Sequence, residues 1–399
     1  MKSPLNRLEE SAEKVLEYAR KKPIQLFKPK YNTEKILENL RGVLNSGWTG
    51  TGPKCKEFEE KFNEYTGAKH SHYVSSATAA LHIATRLLDL KKGSKILTTP
   101  LTFVSSNAAI VYEGHEPVFV DVNKHDLSMC ALDFMNKLES EKAKAAIWVH
   151  YGGHVSDDFE AVMHQRPEKF QIIEDCAHAM GGKYSDGRTV GNSSNMCCHS
   201  FQAVKNLATA DSGMITVPTE ELLKRVKKLA WLGIDKDTFA RTNANPSEIY
   251  KWKYDVSELG WKYNGNDIMA TIALVQLAEL DRENAYRRQI AYWYREKLGV
   301  RGINRIKFVH SCFEAAHHLF VIRAKNRDEV LAKLKEEKIA PGVHYLPNYE
   351  FPVFNKFYRK GMCPNAEQLS AEILSLPNHL ELTEKDIDRV CKVVLDVAE

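Results

Sequence analysis

The stretch that decides the fold is Ile172-Ile173-Glu174-Asp175-Cys176-Ala177-His178, followed by Ser200-Phe201-Gln202-Ala203-Val204-Lys205-Asn206 and then Ser212-Gly213-Met214-Ile215-Thr216-Val217. Short apolar runs at 171–174, 196–200 and 214–217 have the length of buried strands. An acid, Asp175, follows the first run, and a hydroxyl, Ser200, ends the second. Lys205 comes next, in a loop of small and polar residues. A loop lysine is ordinarily a solvated surface group. Here Ala203-Val204 and Leu207-Ala208 flank it with apolar side chains, and Thr209-Ala210-Asp211-Ser212-Gly213 is small enough for a flat ligand to approach. An amine desolvated in such a setting has a lowered pKa.

Carboxylate, hydroxyl and amine are the three parts that pyridoxal phosphate chemistry needs. The carboxylate keeps the ring nitrogen protonated, the hydroxyl holds the phosphate, and the amine forms the Schiff base. Asp175 at the end of an apolar strand is costly to bury without a cation, and a protonated pyridine nitrogen supplies one. Its alternative is a helix cap in Asp-Cys-Ala-His. His178 reads either as a neighbour of the cofactor or as a satisfied structural histidine. Phe103 in Pro100-Leu101-Thr102-Phe103 reads either as a ring stacked on the cofactor or as a core aromatic.

Outward from this stretch, extended and helical segments alternate. Strands are predicted at 72–74, 95–98, 117–121 and 145–149, and helices at 34–44, 55–65, from 75 onward, at 105–112, 133–138, 157–163 and 220–230. Strands alternating with helices imply an α/β fold: a large, mostly parallel sheet with helices on both faces and ligand sites at the carboxyl ends of its strands. Thr78, Thr102, Asp175 and Ser200 all fall at or just past such ends. The passage Ser75-Ser76-Ala77-Thr78-Ala79-Ala80 runs from a strand into an Ala-rich helix, where free backbone N–H groups suit a phosphate. Ser46-Gly47-Trp48-Thr49-Gly50-Thr51-Gly52-Pro53 is an ordered loop whose Trp48 either packs inward or meets a ligand.

Helices at 267–280 and 282–298 lead into a smaller α+β unit with strands near 306–309 and 316–322 and helices at 327–337 and 384–397. The expected organisation is an arm over 1–34, with an amphipathic helix at 5–21, a large domain over 35–281 and a small domain over 282–399.

Composition agrees with an ordinary folded protein: 43% hydrophobic and 27% charged residues, with 21 Gly and 14 Pro among 399 residues. A net charge of +4 from 56 bases and 52 acids gives no basic stripe for nucleic acid. The eight cysteines, at 55, 130, 176, 197, 198, 312, 363 and 391, have no zinc-ligand spacing and read as reduced thiols. No leader and no run of about 18 apolar residues is present, so the expectation is a soluble cytoplasmic protein without membrane or nucleic-acid partners.

The motifs resemble the DegT/DnrJ/EryC1/StrS sugar aminotransferases of the fold-type I pyridoxal phosphate superfamily over roughly residues 24–397. The likeness runs through Ser46-Gly47-Trp48, Val74-Ser75-Ser76-Ala77-Thr78, Thr99-Pro100-Leu101-Thr102-Phe103 and Glu174-Asp175-Cys176-Ala177-His178. It continues in Ser200-Phe201-Gln202-Ala203-Val204-Lys205-Asn206, Gly342-Val343-His344-Tyr345 and Leu374-Ser375-Leu376-Pro377. The resemblance implies Lys205 as Schiff-base lysine and proton carrier, Asp175 as partner of the ring nitrogen, and Ser200 with the Ala77-Thr78 backbone as phosphate ligands. It implies Phe103 as the stacked ring and His178 as a neighbour of the cofactor hydroxyl.

The chain departs from the family pattern in three places. Ala77 stands in Ser76-Ala77-Thr78 for the usual glycine, and Ala210-Asp211-Ser212-Gly213 replaces a glycine-rich run. Gly260-Trp261-Lys262-Tyr263-Asn264 replaces Gly-Tyr-Asn-Tyr-Arg, so Lys262 stands where an asparagine reaches the neighbouring subunit's phosphate.

The implied activity is transfer of an amino group, from L-glutamate, to a nucleotide-linked keto-deoxysugar by a homodimer with a shared active site. Trp48, His344 and Tyr345 are candidate sugar contacts. An aminocyclitol aminotransferase, a sugar dehydratase and a non-catalytic sugar-nucleotide binder are the alternatives. Lys205 argues against the dehydratase, which carries histidine there, and intact Lys205, Asp175 and Ser200 argue against the non-catalytic protein.

Overall fold

A computed structural model describes residues 22–235, 254–302, 305–309 and 315–399. The predicted helix at 5–21, residues 236–248 of the polar stretch 233–248, which is expected to be irregular, and Cys312 lie outside them.

Seven strands form the main sheet: β1 (Ser71–Val74), β2 (Lys95–Thr98), β3 (Glu116–Phe119), β4 (Ala145–Val149), β5 (Gln171–Asp175), β6 (Met196–Ser200) and β7 (Gly213–Thr216). Their order is β1-β7-β6-β5-β4-β2-β3. Only β7 runs antiparallel, between β1 and β6. The predicted α/β fold is therefore present. Period-two alternation divides each strand between two buried faces. Ile96, Ile147 and Ile173 pack with Ala80, Leu81, Ile83 and Ala84 of the helix Ala77–Leu87. Leu97, Ala146, Trp148 and Ile172 pack on the other side with Phe134 and Phe159. The adjacent acids Glu174 and Asp175 consequently point to opposite faces.

A second sheet, β8 (Lys307–Phe308), β9 (Phe320–Arg323) and β10 (Ile373–Leu376), is antiparallel in the order β10-β9-β8. Helices Arg327–Glu336 and Glu384–Val397 cover it around Leu334, Val390 and Val394.

Three sequence expectations change. The helices predicted at 267–280 and 282–298 are one continuous helix, Asp267–Gly302. Ala270, Ala273, Leu277 and Leu280 pack against Phe58 and Phe201 in the large unit, while Ile290, Tyr294 and Leu298 pack in the small one. The strand predicted over 316–322 begins only at Phe320, because the Ala316 and His317 carbonyls accept from the Asn206 and Asn378 side chains instead of a ladder. β10 was not predicted as a strand.

Extended segment 22–31 connects the two units. Ile24 N–H donates to Lys338 O (2.9 Å), Asn378 N–H to Leu26 O (3.2 Å), and Tyr31 Oη to Thr209 O (2.8 Å).

Candidate active site

Three strand ends and one helix start assemble the centre of the site. Asp175, buried at the end of β5, accepts a hydrogen bond from Ser106 Oγ (2.7 Å) and another from Ala177 N–H (3.1 Å). No helix follows it, so the cap alternative reduces to one turn. Burial raises the Asp175 pKa, and the bonds from Ser106 and Ala177, together with the charge of Lys205, oppose that rise. Lys205 is half-buried with its amine held deep, and burial lowers its pKa to about 8 against the pull of Asp175. Its Nζ lies 3.4 Å from His318 Nε2.

Ser200 ends β6 directly opposite Gly213 of β7. A Cβ on Gly213 would stand 2.6 Å from the Ser76 carbonyl carbon and 2.7 Å from Ala77 N, so glycine there lets the helix Ala77–Leu87 start against the sheet. Ser76 caps that helix by accepting from Ala79 N–H (3.1 Å). The N–H groups of Ala77 and Thr78 precede the first intrahelical bonds and lie on the side of the Ser200 hydroxyl. This is a small anion cup.

His178 is buried. Its Nδ1 accepts from Gly152 N–H (3.2 Å), which places the proton of the neutral ring on Nε2, and that N–H donates to Tyr345 Oη (2.8 Å). Tyr345 lies 6.2 Å from Phe103, centroid to centroid. Phe103 is 57% exposed and therefore not a core aromatic. His344, whose pKa burial lowers to about 4, bonds Ser375 through Nδ1 (2.8 Å), and its carbonyl accepts from the Tyr151 hydroxyl. The loop of the small unit thus delivers His344 and Tyr345 to the same place as Lys205, Asp175, His178 and Phe103.

Two candidates lie differently. The Trp48 indole N–H closes its own loop on Thr51 O (3.0 Å), and that loop is fastened to Gly265 and Asp267. Lys262 is exposed, with Nζ 3.0 Å from the centroid of the Trp231 ring, so it meets an aromatic face and not the anion cup of its own chain.

Sequence reasoning missed Ser106, Phe27 and His318. Ser106 had a weak signal, sitting four residues past Thr102, and the two hydroxyls are 2.9 Å apart. It also missed the hub behind the sheet, where the Glu174 carboxylate accepts from His150 (2.8 Å), Tyr184 (2.7 Å), Ser193 (2.5 Å) and Asn195 (2.7 Å). His150, Glu174 and Cys176 offer ligand atoms within 4.8 Å of one another, but the four donors already occupy the carboxylate. Burial works to raise the Glu174 pKa, and these bonds, led by His150, overcome it and hold the pKa low.

A buried acid, an amine with a depressed pKa and an anion cup, arranged at the strand ends of a seven-stranded α/β sheet, define a pyridoxal-phosphate-dependent enzyme. The chain belongs to the DegT/DnrJ/EryC1/StrS aminotransferase family, whose model matches residues 30–395. It is 33% identical to the spore coat polysaccharide biosynthesis protein SpsC of Bacillus subtilis, covering 93% of this chain and 96% of the relative. It is also 33% identical to a UDP-4-amino-4-deoxy-L-arabinose–oxoglutarate aminotransferase of Shewanella sediminis, covering 91% and 95%. A putative sugar aminotransferase from Streptococcus pneumoniae, solved in its PMP form, superposes with a TM-score of 0.84 at 28% identity, covering 93% of this chain and 98% of that one. The donor set present fits pyridoxal phosphate at each of its three polar ends: N–H and hydroxyl donors for phosphate, a carboxyl for the ring nitrogen and a nucleophilic amine for the aldehyde. No helix among the described residues is long and apolar enough to cross a membrane.

Proposed function

We propose that the protein transfers an amino group from L-glutamate to the keto carbon of a nucleotide-linked keto-deoxysugar. The observation that carries the reading is Lys205, whose amine is brought to a pKa of about 8 by burial and faces Asp175 and a set of neutral histidines. Pyridoxal phosphate, when bound, supplies an electron sink that lets an amino-acid Cα–H bond break. The Lys205 amine would carry a proton between the substrate carbon and the cofactor, away from the amino-acid Cα in the first half-reaction and onto the former keto carbon of the sugar in the second. Asp175 holds a proton at the ring nitrogen. Ser200 Oγ and the N–H groups of Ala77 and Thr78 would hold the phosphate, Phe103 would lie against the ring, and His178 would meet the hydroxyl side.

The sugar enters against His344 and Tyr345. The relatives support a sugar acceptor through the polysaccharide and amino-arabinose activities in their names, and the oxoglutarate in one of them is the keto acid that glutamate leaves behind. A homodimer completes the site. The exposed apolar side chains of Leu232, Tyr254, Val256 and Leu259 lie on the segments flanking Lys262, a suitable cover for a second copy, and Lys262 then serves the partner's phosphate as a point charge. The domain division at 281/282 falls inside the long helix, which acts as the shared spine.

The test is direct. Purified protein incubated with cofactor should show a visible absorption band that borohydride removes while fixing cofactor mass on Lys205. Glutamate plus a panel of nucleotide keto-sugars, followed by mass spectrometry, should yield one amino sugar. Protein that binds cofactor but leaves Lys205 unmodified by borohydride overturns the assignment.

A further inference from the structure

His318 lies two residues before β9 and is 4% exposed, although the mechanism above gives it no task. Its ring stacks on Phe27 (centroids 5.3 Å apart, planes 7° apart) and lies against His178 (4.6 Å, 35°), with Nε2 aimed at the Lys205 amine. The frame around this contact is tight. Asn206, the residue after Lys205, donates to Ala316 O (2.7 Å), and Ala316 N–H donates to Gly153 O (2.9 Å). Phe27 belongs to the extended segment 22–31, pinned at Leu26 to Asn378 and at Tyr31 to Thr209. Both partners of the histidine ring are therefore fixed independently of the lysine.

We propose that His318 is a positioning residue whose Nε2 holds the Lys205 amine by a hydrogen bond, with Phe27 of the N-terminal segment fixing the plane of the ring. The inference rests on the reading of Lys205 as the cofactor lysine. A lysine amine on a four-carbon stem samples many rotamers, whereas carrying a proton between two nearby atoms needs it within hydrogen-bond reach of both. A carboxylate in the place of His318 would orient the amine too, but it would raise the pKa and keep the amine charged. A neutral imidazole orients the amine with a smaller rise in its pKa.

His318 is neutral because burial, and after it the positive charge of Lys205 and the neighbouring His178, His344 and Arg287, push its pKa far down. With the proton on Nδ1, Nε2 accepts from the ammonium. The titratable and charged groups facing this contact are Asp175 from the main sheet, His178 from the turn after β5, Arg287 from the long helix, and His344 and Tyr345 from the small unit. Among them Asp175 supplies the carboxylate.

The test uses the full-length apoenzyme and reads the amine directly. Brief acetylation across a pH series, with Lys205 modification quantified by peptide mass spectrometry, gives its titration midpoint, expected at about 8 in the wild type. His318→Phe keeps a ring against Phe27 and excludes water but removes the acceptor, so the midpoint should fall by about one pH unit, the size of one hydrogen bond to a charged group. In the holoenzyme the same variant should lose about tenfold or more in kcat with KM for the amino donor little changed. His318→Gln, which keeps an acceptor, should recover the midpoint and most of kcat. Phe27→Leu should show the same changes at smaller size. If phenylalanine does not fit, His318→Leu serves the same comparison.

An unchanged midpoint in the acceptor-free variant, or a glutamine variant no better than it, overturns the proposal. A shifted midpoint without borohydride fixation of cofactor on Lys205 in the wild type would leave the Lys205–His318 contact standing but sink the assignment of Lys205, and with it the positioning role.

Discussion

The Ser106 hydroxyl stands 2.7 Å from Asp175 Oδ2, with both side chains buried, and it is the strongest influence opposing the effect of burial on that carboxyl. Ser106 comes from the first turn of the helix Val104–Tyr112, which follows β2, so the acid at the end of one strand is tuned by the start of a helix behind another. A buried carboxyl without donors would take up a proton and stay neutral. A neutral acid cannot hold the charge of a protonated ring nitrogen.

Ser106→Ala should therefore push the Asp175 pKa further up and weaken cofactor binding by about tenfold, corresponding to about 1.5 kcal/mol for a hydrogen bond to a charged group. Fluorescence titration of apoenzyme with pyridoxal phosphate at neutral pH measures it. An affinity equal to the wild type would show that Ala177 N–H and Lys205 suffice to keep the acid ionised.

Lys205 makes the apoenzyme's stability depend on pH in a definite direction. Its folded pKa, about 8, lies below the ordinary 10.5, so between these values the unfolded chain binds more protons than the folded one and stability rises with pH. The contribution is fully present above about 10.5 and is lost as pH falls through 8, with an amplitude of about 2–3 kcal/mol for a half-buried group. Lys205→Met should consequently be more stable than wild type at pH 7, and the gap should close by pH 10. Urea midpoints of the two apoproteins at several pH values decide the matter, and a gap that does not vary with pH would refute it.

How much of this was legible in the sequence follows from geometry. Asp175, Ser200 and Thr78 could be placed at or just past strand ends because that placement needs only local pattern, and the structure puts them there. His318 precedes its strand, so no such rule marks it, and its partner Lys205 is 113 residues away. The expected break between the helices at 267–280 and 282–298 is absent, and Glu283, Asn284 and Arg287 are buried where the two units meet along one continuous helix. Glu174 and Asp175 are adjacent in sequence, but the strand period sends them to separate faces.

That separation predicts different failures for the two acids. Glu174→Ala leaves His150, Tyr184, Ser193 and Asn195 with buried donors and no acceptor, so it should cost about 3–5 kcal/mol of unfolding free energy or yield insoluble protein. Asp175→Ala removes a carboxyl that burial already disfavours, so it should fold with near-normal stability and lose turnover. Denaturant melts of both variants beside a cofactor titration test the contrast. A stable Glu174→Ala protein would mean that waters replace the carboxylate in the hub.

Gly213 joins the proposed phosphate cup to the sheet, and its replacement should act on the cofactor more than on the fold. The Cβ of alanine there would approach the Ser76 and Ala77 backbone to about 2.6–2.7 Å, closer than any normal contact, and backbone cannot rotate away as a side chain can. The relief available is a shift of the first turn of the helix Ala77–Leu87 away from β7, which draws the Ala77 and Thr78 N–H groups away from Ser200. Anion binding at a helix start depends on those groups converging. Gly213→Ala should therefore weaken pyridoxal phosphate by about tenfold or more while binding of phosphate-free pyridoxal is little affected, a distinction that a general loss of packing would not produce. Parallel titrations of the two ligands check it, and equal losses for both would place the damage in the sheet and not in the cup.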